Sequence, residues 1–361
     1  MLCSTEIAPF ESSVRYGIKR LLQSQGVTAA QAVVPCGFKL AIDFQFFFAK
    51  NREMFLPARR SFGVWIALGL LGIAPLSAIA VSPAQKFPKS CVWRVTNAKA
   101  PFYLVGSIHA LSKSDYPLPS PYDVALRNSK RFVFEFDPNR HVEFERKFEA
   151  AAKYPLGQDI RSKIDPELLA WLRKNILTVK AEPRRGKRAR AAFDSELCYK
   201  PWWVAQHLAA PASYSKSSAS HGLDNYLVDH AKMAGKEIGG LESVDEHVAV
   251  LGGLSDRDSE FMLRDALTQP TDGQKEFSTM YKAWRRGDTG ALWAGDARLR
   301  SQAPGIAARL VEDRNVKWVP RIEAELKTGK PTAIVAGALH FAGPRGVIAL
   351  LQKRGYEIEQ L

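Results

Sequence analysis

The chain has 361 residues, 46% of them hydrophobic and 24% charged, which is enough for one large domain or two small ones and too apolar for a disordered chain. Its formal charge is +14, from 51 Lys and Arg against 37 Asp and Glu, but no basic arm or repeat gathers that charge, so no nucleic-acid partner is expected. Four cysteines without a CxxC pair exclude a disulfide-dense miniprotein, a zinc knuckle and a thioredoxin-type redox centre.

Residues 1–53 show neither periodicity nor a core of their own. From Met54 to Ala80 the pattern changes: Arg59 and Arg60 precede an apolar run that closes on Ala78, Ile79 and Ala80, the order of a cleavable secretory signal. The expected organisation is therefore a non-native or disordered extension over 1–53, translation from Met54, a signal peptide over 54–80 and a domain over 81–361. Cleavage after Ala80 implies a periplasmic or secreted protein. Retention of the run from Phe62 to Val81 would instead anchor it in the inner membrane through an uncleaved signal. Beyond Ala80 the cysteines are Cys91 and Cys198, a pair that in an oxidising compartment either forms one disulfide or remains two buried thiols.

Two short β-rich runs, Val92 to Thr96 and Phe102 to Val105, are split by a turn and predict a hairpin. After a proline-rich loop, Tyr122 to Ser129 reads as a helix leading into a strand from Arg131 to Asp137, with Phe132, Phe134 and Phe136 on one face and Val133, Glu135 and Asp137 on the other, one face core and the other open to chemistry. Asp165 before Pro166 caps a helix to Leu177 with Leu168, Leu169 and Leu172 inward. From Lys180 to Arg190, six basic residues and one acidic one surround Pro183 and Gly186, a solvated loop or a surface for an acidic polymer or phospholipid headgroups. Helical patterns follow at Glu196–Leu208, Leu223–Ala234, Val244–Leu251, Asp256–Leu267, Ala291–Ser301 and Asp313–Leu326, with a strand at Glu237–Leu241 and a turn at Tyr281–Trp284. The chain closes with a buried strand at Pro331–Ala336, a glycine-rich connection, a helix at Val347–Lys353 and a strand at Tyr356–Gln360. The predicted fold class is α/β: a central mixed sheet from the two ends of the domain, with a helical middle.

One unit occurs twice. An apolar strand ends in Gly106 with His109 three residues on, and another ends in Gly337 with His340 three residues on. A glycine there lets the backbone turn and sets each imidazole at the carboxyl edge of the sheet, where open α/β sheets bind ligands. Glu135, in a phenylalanine-rich strand, needs a partner, which is either an arginine or a cation. Two neutral imidazoles and a carboxylate suit manganese, cobalt, zinc or iron, so His109, Glu135 and His340 are candidate ligands of a divalent ion that would activate water. Glu135 is alternatively the general base. Arg314 and Asn315 open a charged helix: Arg314 is either a surface residue, a partner of Glu135 or an oxyanion stabiliser, and Asn315 orients substrate or a ligand. His141, His207, His221, His230 and His247 have no repeated context and default to surface or capping roles, with His221 the one candidate for an extra ligand. Neither phosphate-binding glycine loops nor a GxSxG elbow occurs.

The segments WRVTNAKAPFYLVGSIHAL, DYPLPSPYDVAL, FVFEFD, GLDNYLVDHAKMAGKEIGGLESVDEHVAVL, EDRNVKWVPRIEAEL and TAIVAGALHFAGPRGVIALLQKRGYEIEQL, in that order, resemble the TraB/GumN family, which includes the Tiki proteases. The resemblance runs from about Cys91 to Leu361. It implies a fold similar to the erythromycin esterase and ChaN group and a site of two GxxH histidines and a glutamate, here His109, His340 and Glu135. Tiki members are described as metal-dependent proteases acting on the amino termini of secreted signalling proteins. The expectation is a metal-dependent hydrolase, a peptidase acting on a peptide or protein. The alternatives are a haem- or ligand-binding protein without chemistry and a metal-free esterase.

Overall fold

The computed structural model describes residues 89–179, 197–206, 221–268 and 272–361. The extension, the signal peptide, His207 and the basic stretch from Lys180 to Arg190 lie outside the described residues.

Six strands form one mixed sheet: β1 (Val92–Val95), β2 (Phe102–Ser107), β3 (Arg131–Phe136), β4 (Glu237–Glu242), β5 (Thr332–Gly337) and β6 (Ile358–Gln360), in the order β4-β3-β5-β2-β1-β6. The expected hairpin is present, Val92 opposite Val105, and β6 extends it by pairing antiparallel with β1. The other four strands are mutually parallel, with β5 inserted between β2 and β3. Such strands are buried on both faces by crossover helices and read as nearly continuous apolar runs. That corrects the expectation of an open face on β3: from Phe132 to Phe136 every residue is buried, Glu135 among them. Phe132 and Phe134 join the main core, whereas Phe136 packs with Phe144 and Phe148 in a second cluster.

The two GxxH units come to lie side by side. In the β2–β5 register Gly106 faces Ala336 and Ser107 faces Gly337, so the units are one residue out of step on adjacent parallel strands. Neither glycine has a positive φ, so the turning role expected of them is not the reason for glycine. A Cβ on Gly106 would stand 2.9 Å from the Cys91 Cβ and 3.2 Å from the Ala338 Cα, so glycine is required there by close packing.

Several helices follow their sequence signals closely. Asp165 caps the helix Pro166–Val179, its carboxylate accepting from the Glu167 amide at 2.8 Å, and Ser243 and Glu246 form a reciprocal capping box on Val244–Gly252. Others differ. Residues 138–140 and the helix His141–Ala152 carry no sequence expectation, yet Phe144, Phe148 and Ala152, spaced by four, bury one face of that helix. The Tyr281–Trp284 turn is the end of a longer helix, Asp272–Arg285. Ala291–Ser301 is two helices, Thr289–Gly295 and Ala297–Gln302, broken at Asp296, which is too close to the bridge region to continue the first. A π-helical turn at Ala308–Glu312 leads into the helix Asp313–Lys327.

The cysteines are not joined. Cys91 is buried in the sheet core, its thiol donating to the Trp284 carbonyl at 3.4 Å, while the Cys198 carbonyl accepts from the Tyr154 amide on the far side of the helical region. The structure does not pair Cys91 with Cys198, and of the two only Cys91 is buried. Burial pushes the Cys91 thiol up to about 12.

Candidate functional site

The four parallel strands point the same way, and each delivers a side chain to their common carboxyl edge: His109 just beyond β2, Glu135 near the end of β3, Glu242 at the end of β4 and His340 just beyond β5. Gly337 marks where three of them converge. A Cβ built on it would lie 3.5 Å from Glu135 Oε1, 3.7 Å from His340 Cδ2 and 4.0 Å from His109 Nε2. Its own amide donates to Glu135 Oε1 at 2.9 Å.

Each imidazole is oriented by an oxygen at Nδ1. His109 Nδ1 is 2.9 Å from Asp224 Oδ2, and His340 Nδ1 is 2.7 Å from Asn315 Oδ1. An amide oxygen only accepts, so the His340 proton sits on Nδ1 and Nε2 keeps its lone pair. The backbone explains Asp224: the Leu223 amide donates to the Ile108 carbonyl at 3.0 Å, tying the first turn of the helix Leu223–Met233 to the residue before His109. Asn315 is fully buried, with its amide nitrogen donating to the Arg345 carbonyl at 3.0 Å. Asn315 thus orients a histidine, one of the two roles expected of it.

Arg314 is not a surface residue. Its guanidinium lies among four side chains, with Nη2 donating to Glu135 Oε2 at 2.6 Å and to Glu242 Oε1, Nη2 3.2 Å from His247 Nδ1, and Nη1 3.3 Å from His340 Nε2. The π-helical turn brings the Leu310 carbonyl within 3.3 Å of Nη1, and the guanidinium stacks over Trp318 at 4.6 Å. Burial alone would raise the Glu135 carboxyl, but Arg314 and then the neighbouring histidines hold it well below the usual carboxylate range. Burial likewise opposes the charge on Glu242, yet hydrogen bonding from His247 and the Arg314 charge keep it ionised. His340, desolvated in this position, is pushed down to about 3 and is neutral. Burial would lower His109 as well, but the Asp224 carboxylate raises it above its ordinary value.

Glu242, Asp224 and His247 were not selected from sequence. Glu242 carried a usable signal, a carboxylate ending a strand as Glu135 does. His247 has a surface or capping role as its sequence default, yet it stands between Phe136 and Phe144 with its Nδ1 on Glu242. His221 precedes the N-cap Gly222 of the helix Leu223–Met233 and is not among the residues lining the cavity. His230 bonds the Tyr226 carbonyl and His141 pairs with Glu145 within their own helices.

The edge opens into a cavity of about 320 Å³. Its polar end holds Ser107, His109, Glu135, His247, Arg314 and His340, and its walls are Phe144, Phe148, Val250, Leu251, Phe277, Met280, Trp284, Leu292, Leu310 and Val311. Among the described residues one group of three ligating side chains has its donor atoms within 4.8 Å of one another: Glu135, Glu242 and His247. Arg314 contacts all three, so its guanidinium already holds the place a cation would take there. The expected set, His109, Glu135 and His340, is less closely gathered, with 3.8 Å between Glu135 Oε1 and His340 Nε2.

Fold and site together define an α/β protein with a partly buried polar centre at the carboxyl edge of parallel strands. The chain belongs to the TraB/PrgY/gumN family, whose model matches residues 91–360. It is similar to a zebrafish (Danio rerio) protein named Metalloprotease TIKI2, at 25% identity over 321 residues that cover 76% of this chain and 62% of the relative. The chain thus spans less than two thirds of that relative's length. No solved structure matches the chain.

Proposed function

We propose that the protein is a metal-dependent hydrolase acting on peptide bonds, with its centre at His109, Glu135 and His340. The observation that carries this reading is the charge of the site. Two buried carboxylates, Glu135 and Glu242, share a single guanidinium, Arg314, and a third, Asp224, pairs with His109. Once His109 is deprotonated to act as a ligand, three carboxylates against one guanidinium leave two negative charges in a desolvated place, which a divalent cation balances. The donor set also fits. Both Nε2 atoms are directed away from an oxygen-bound Nδ1, as in metal sites where a carboxylate or carbonyl fixes the tautomer, and imidazole with carboxylate suits manganese, cobalt or zinc. His109, Glu135 and His340 would hold the ion, and Arg314 Nη1 would then release its contact to His340 Nε2.

When bound, a divalent ion supplies Lewis acidity and a more acidic water. The chain's own residues do the rest. His109 and His340 are held in one tautomer by Asp224 and Asn315. Glu135 is kept ionised by Arg314, and its Oε1 accepts from the Gly337 amide. Arg314, with two carboxylates fixing its plane, presents a permanent positive charge where an oxyanion would develop. The apolar walls exclude water from that charge.

A peptidase named for metal dependence among the similar proteins agrees with this reading, and the apolar leader at Met54–Ala80, opened by Arg59 and Arg60, supports export to the periplasm or beyond. The test is elemental analysis of protein beginning at Val81, with fluorogenic peptide turnover before and after chelation. One divalent ion per chain, lost together with turnover in His109→Ala and Glu135→Gln, is the expected result. Chelator-insensitive turnover, or no ion after reconstitution, refutes it.

A further inference from the structure

Resting on that hydrolase reading, we infer that the cavity beside the polar edge is a specificity pocket for one bulky, uncharged apolar side chain of a peptide, next to the bond being cut, with Ser107 contacting the peptide backbone. The shape of the cavity leads there first. At about 320 Å³ it lies at the small end of ligand pockets, of order 300–1,000 Å³, a size suited to one or two side chains.

Its lining is divided in the way such a substrate requires. Charged groups are confined to the strand edge, while the space leading away from them is bounded by Phe144, Phe148, Val250, Trp284 and Leu310. Two of these walls are rigid: Phe144 and Phe148 stack at 5.0 Å, and Trp284 is fixed by its indole donating to the Gly106 carbonyl at 3.0 Å. An aspartate, glutamate or lysine side chain placed among them would be stripped of water with no partner, whereas an aromatic or long aliphatic one displaces poorly bonded water.

Ser107 supplies the second observation. It is 2% exposed, lines the cavity at the register position opposite Gly337, and its hydroxyl has no hydrogen-bond partner among the described residues. A buried hydroxyl left unbonded is costly, and at a cavity wall rotation about χ1 turns it toward a polar group that arrives there. A peptide amide brings such a group within one bond of an apolar side chain. A purely hydrocarbon ligand does not.

The experiment is calorimetric titration of the chain with N-acetyl-phenylalaninamide, N-acetyl-glutamate amide and N-acetyl-lysinamide, together with cleavage of internally quenched peptides that differ only in one residue flanking the scissile bond. The phenylalanine amide is expected to bind at least about tenfold more tightly than either charged amide. Val250→Trp, on a partly exposed helix position, fills the cavity and is expected to abolish that binding while leaving metal content unchanged. Ser107→Ala removes a hydroxyl with no internal partner, so it should keep the melting temperature and weaken binding about three- to tenfold. Equal binding of the three amides, or unchanged binding in both variants, overturns the proposal. Cleavage indifferent to the flanking residue also overturns it and leaves the hydrolase reading standing. Selective binding without any cleavage supports the pocket and counts against the hydrolase.

Discussion

Replacing Arg314 by methionine keeps most of the side-chain volume and removes the one positive charge that Glu135 and Glu242 share. Both carboxylates are almost fully buried, with side chains 6% and 4% exposed, and among the described residues neither has another cation within ion-pair distance except histidine. Removing one partner of a buried pair costs about 3–5 kcal/mol, because the other charge remains desolvated. For a domain of this size that lowers the melting midpoint by roughly 10 °C. The sign with pH can be worked out. In the wild type both groups sit below their ordinary value of 4.5, so their stabilising contribution is complete above that pH and is lost as pH falls through the depressed folded values. In Arg314→Met burial acts without the guanidinium and raises both, so the penalty is present above pH 4.5 and is relieved by protonation below it. Urea unfolding of the two proteins at pH 7 and pH 4 should therefore show a wide gap that narrows on acidification. Adding Glu242→Gln to Arg314→Met should recover part of the loss. A deficit below about 1 kcal/mol at pH 7, or a gap that does not narrow, would refute the argument that Arg314 compensates buried carboxylates.

Gly337→Ala places a methyl 3.5–4.0 Å from Glu135, His340 and His109, ordinary contact distances, so the melting temperature should move little while metal affinity and turnover fall at least tenfold, by roughly the weight of one displaced ligand. Gly106→Ala should do the reverse, costing about 1–3 kcal/mol of stability, since its methyl meets Cys91 and the Ala338 backbone. In Asp224→Asn the carboxylate that raises His109 is gone and burial remains, so the imidazole of the ion-free protein should titrate lower than in the wild type, read from its NMR shifts; an unchanged midpoint would remove Asp224 from its role. Cys91, with its thiol pushed up to about 12, should resist a disulfide reagent at pH 8 until denaturant is added, and mass spectrometry should find no Cys91–Cys198 bond.

Much of the fold was legible because neighbouring residues carried it. The hairpin, the Asp165 cap before Pro166 and the Ser243–Glu246 box are set by local backbone chemistry, and each stands where the sequence places it. The helix His141–Ala152 was missed although Phe144 and Phe148 have helical spacing, because three charged residues interrupt the pattern and the faces of a short helix only acquire meaning against a partner, here β3 and Val244–Gly252. Trp284 similarly belongs to a helix whose polar first turns hide its buried end.

The site divides in the same way. Repetition of glycine and histidine at the ends of two apolar strands, and a glutamate inside a third, were enough to select His109, His340 and Glu135, since a strand end and an unpaired carboxylate announce themselves in one dimension. Nothing along the chain could pair His109 with Asp224, Asn315 with His340, or one arginine with two glutamates from different strands: those contacts span 25 to 179 residues. They arise because β5 inserts between β2 and β3, which brings four strand ends to one edge and packs the helices Leu223–Met233 and Asp313–Lys327 over it. Local sequence therefore chose the residue types that can do chemistry, and the crossing order of the strands decided which of them meet, what charge they share and how each imidazole is turned.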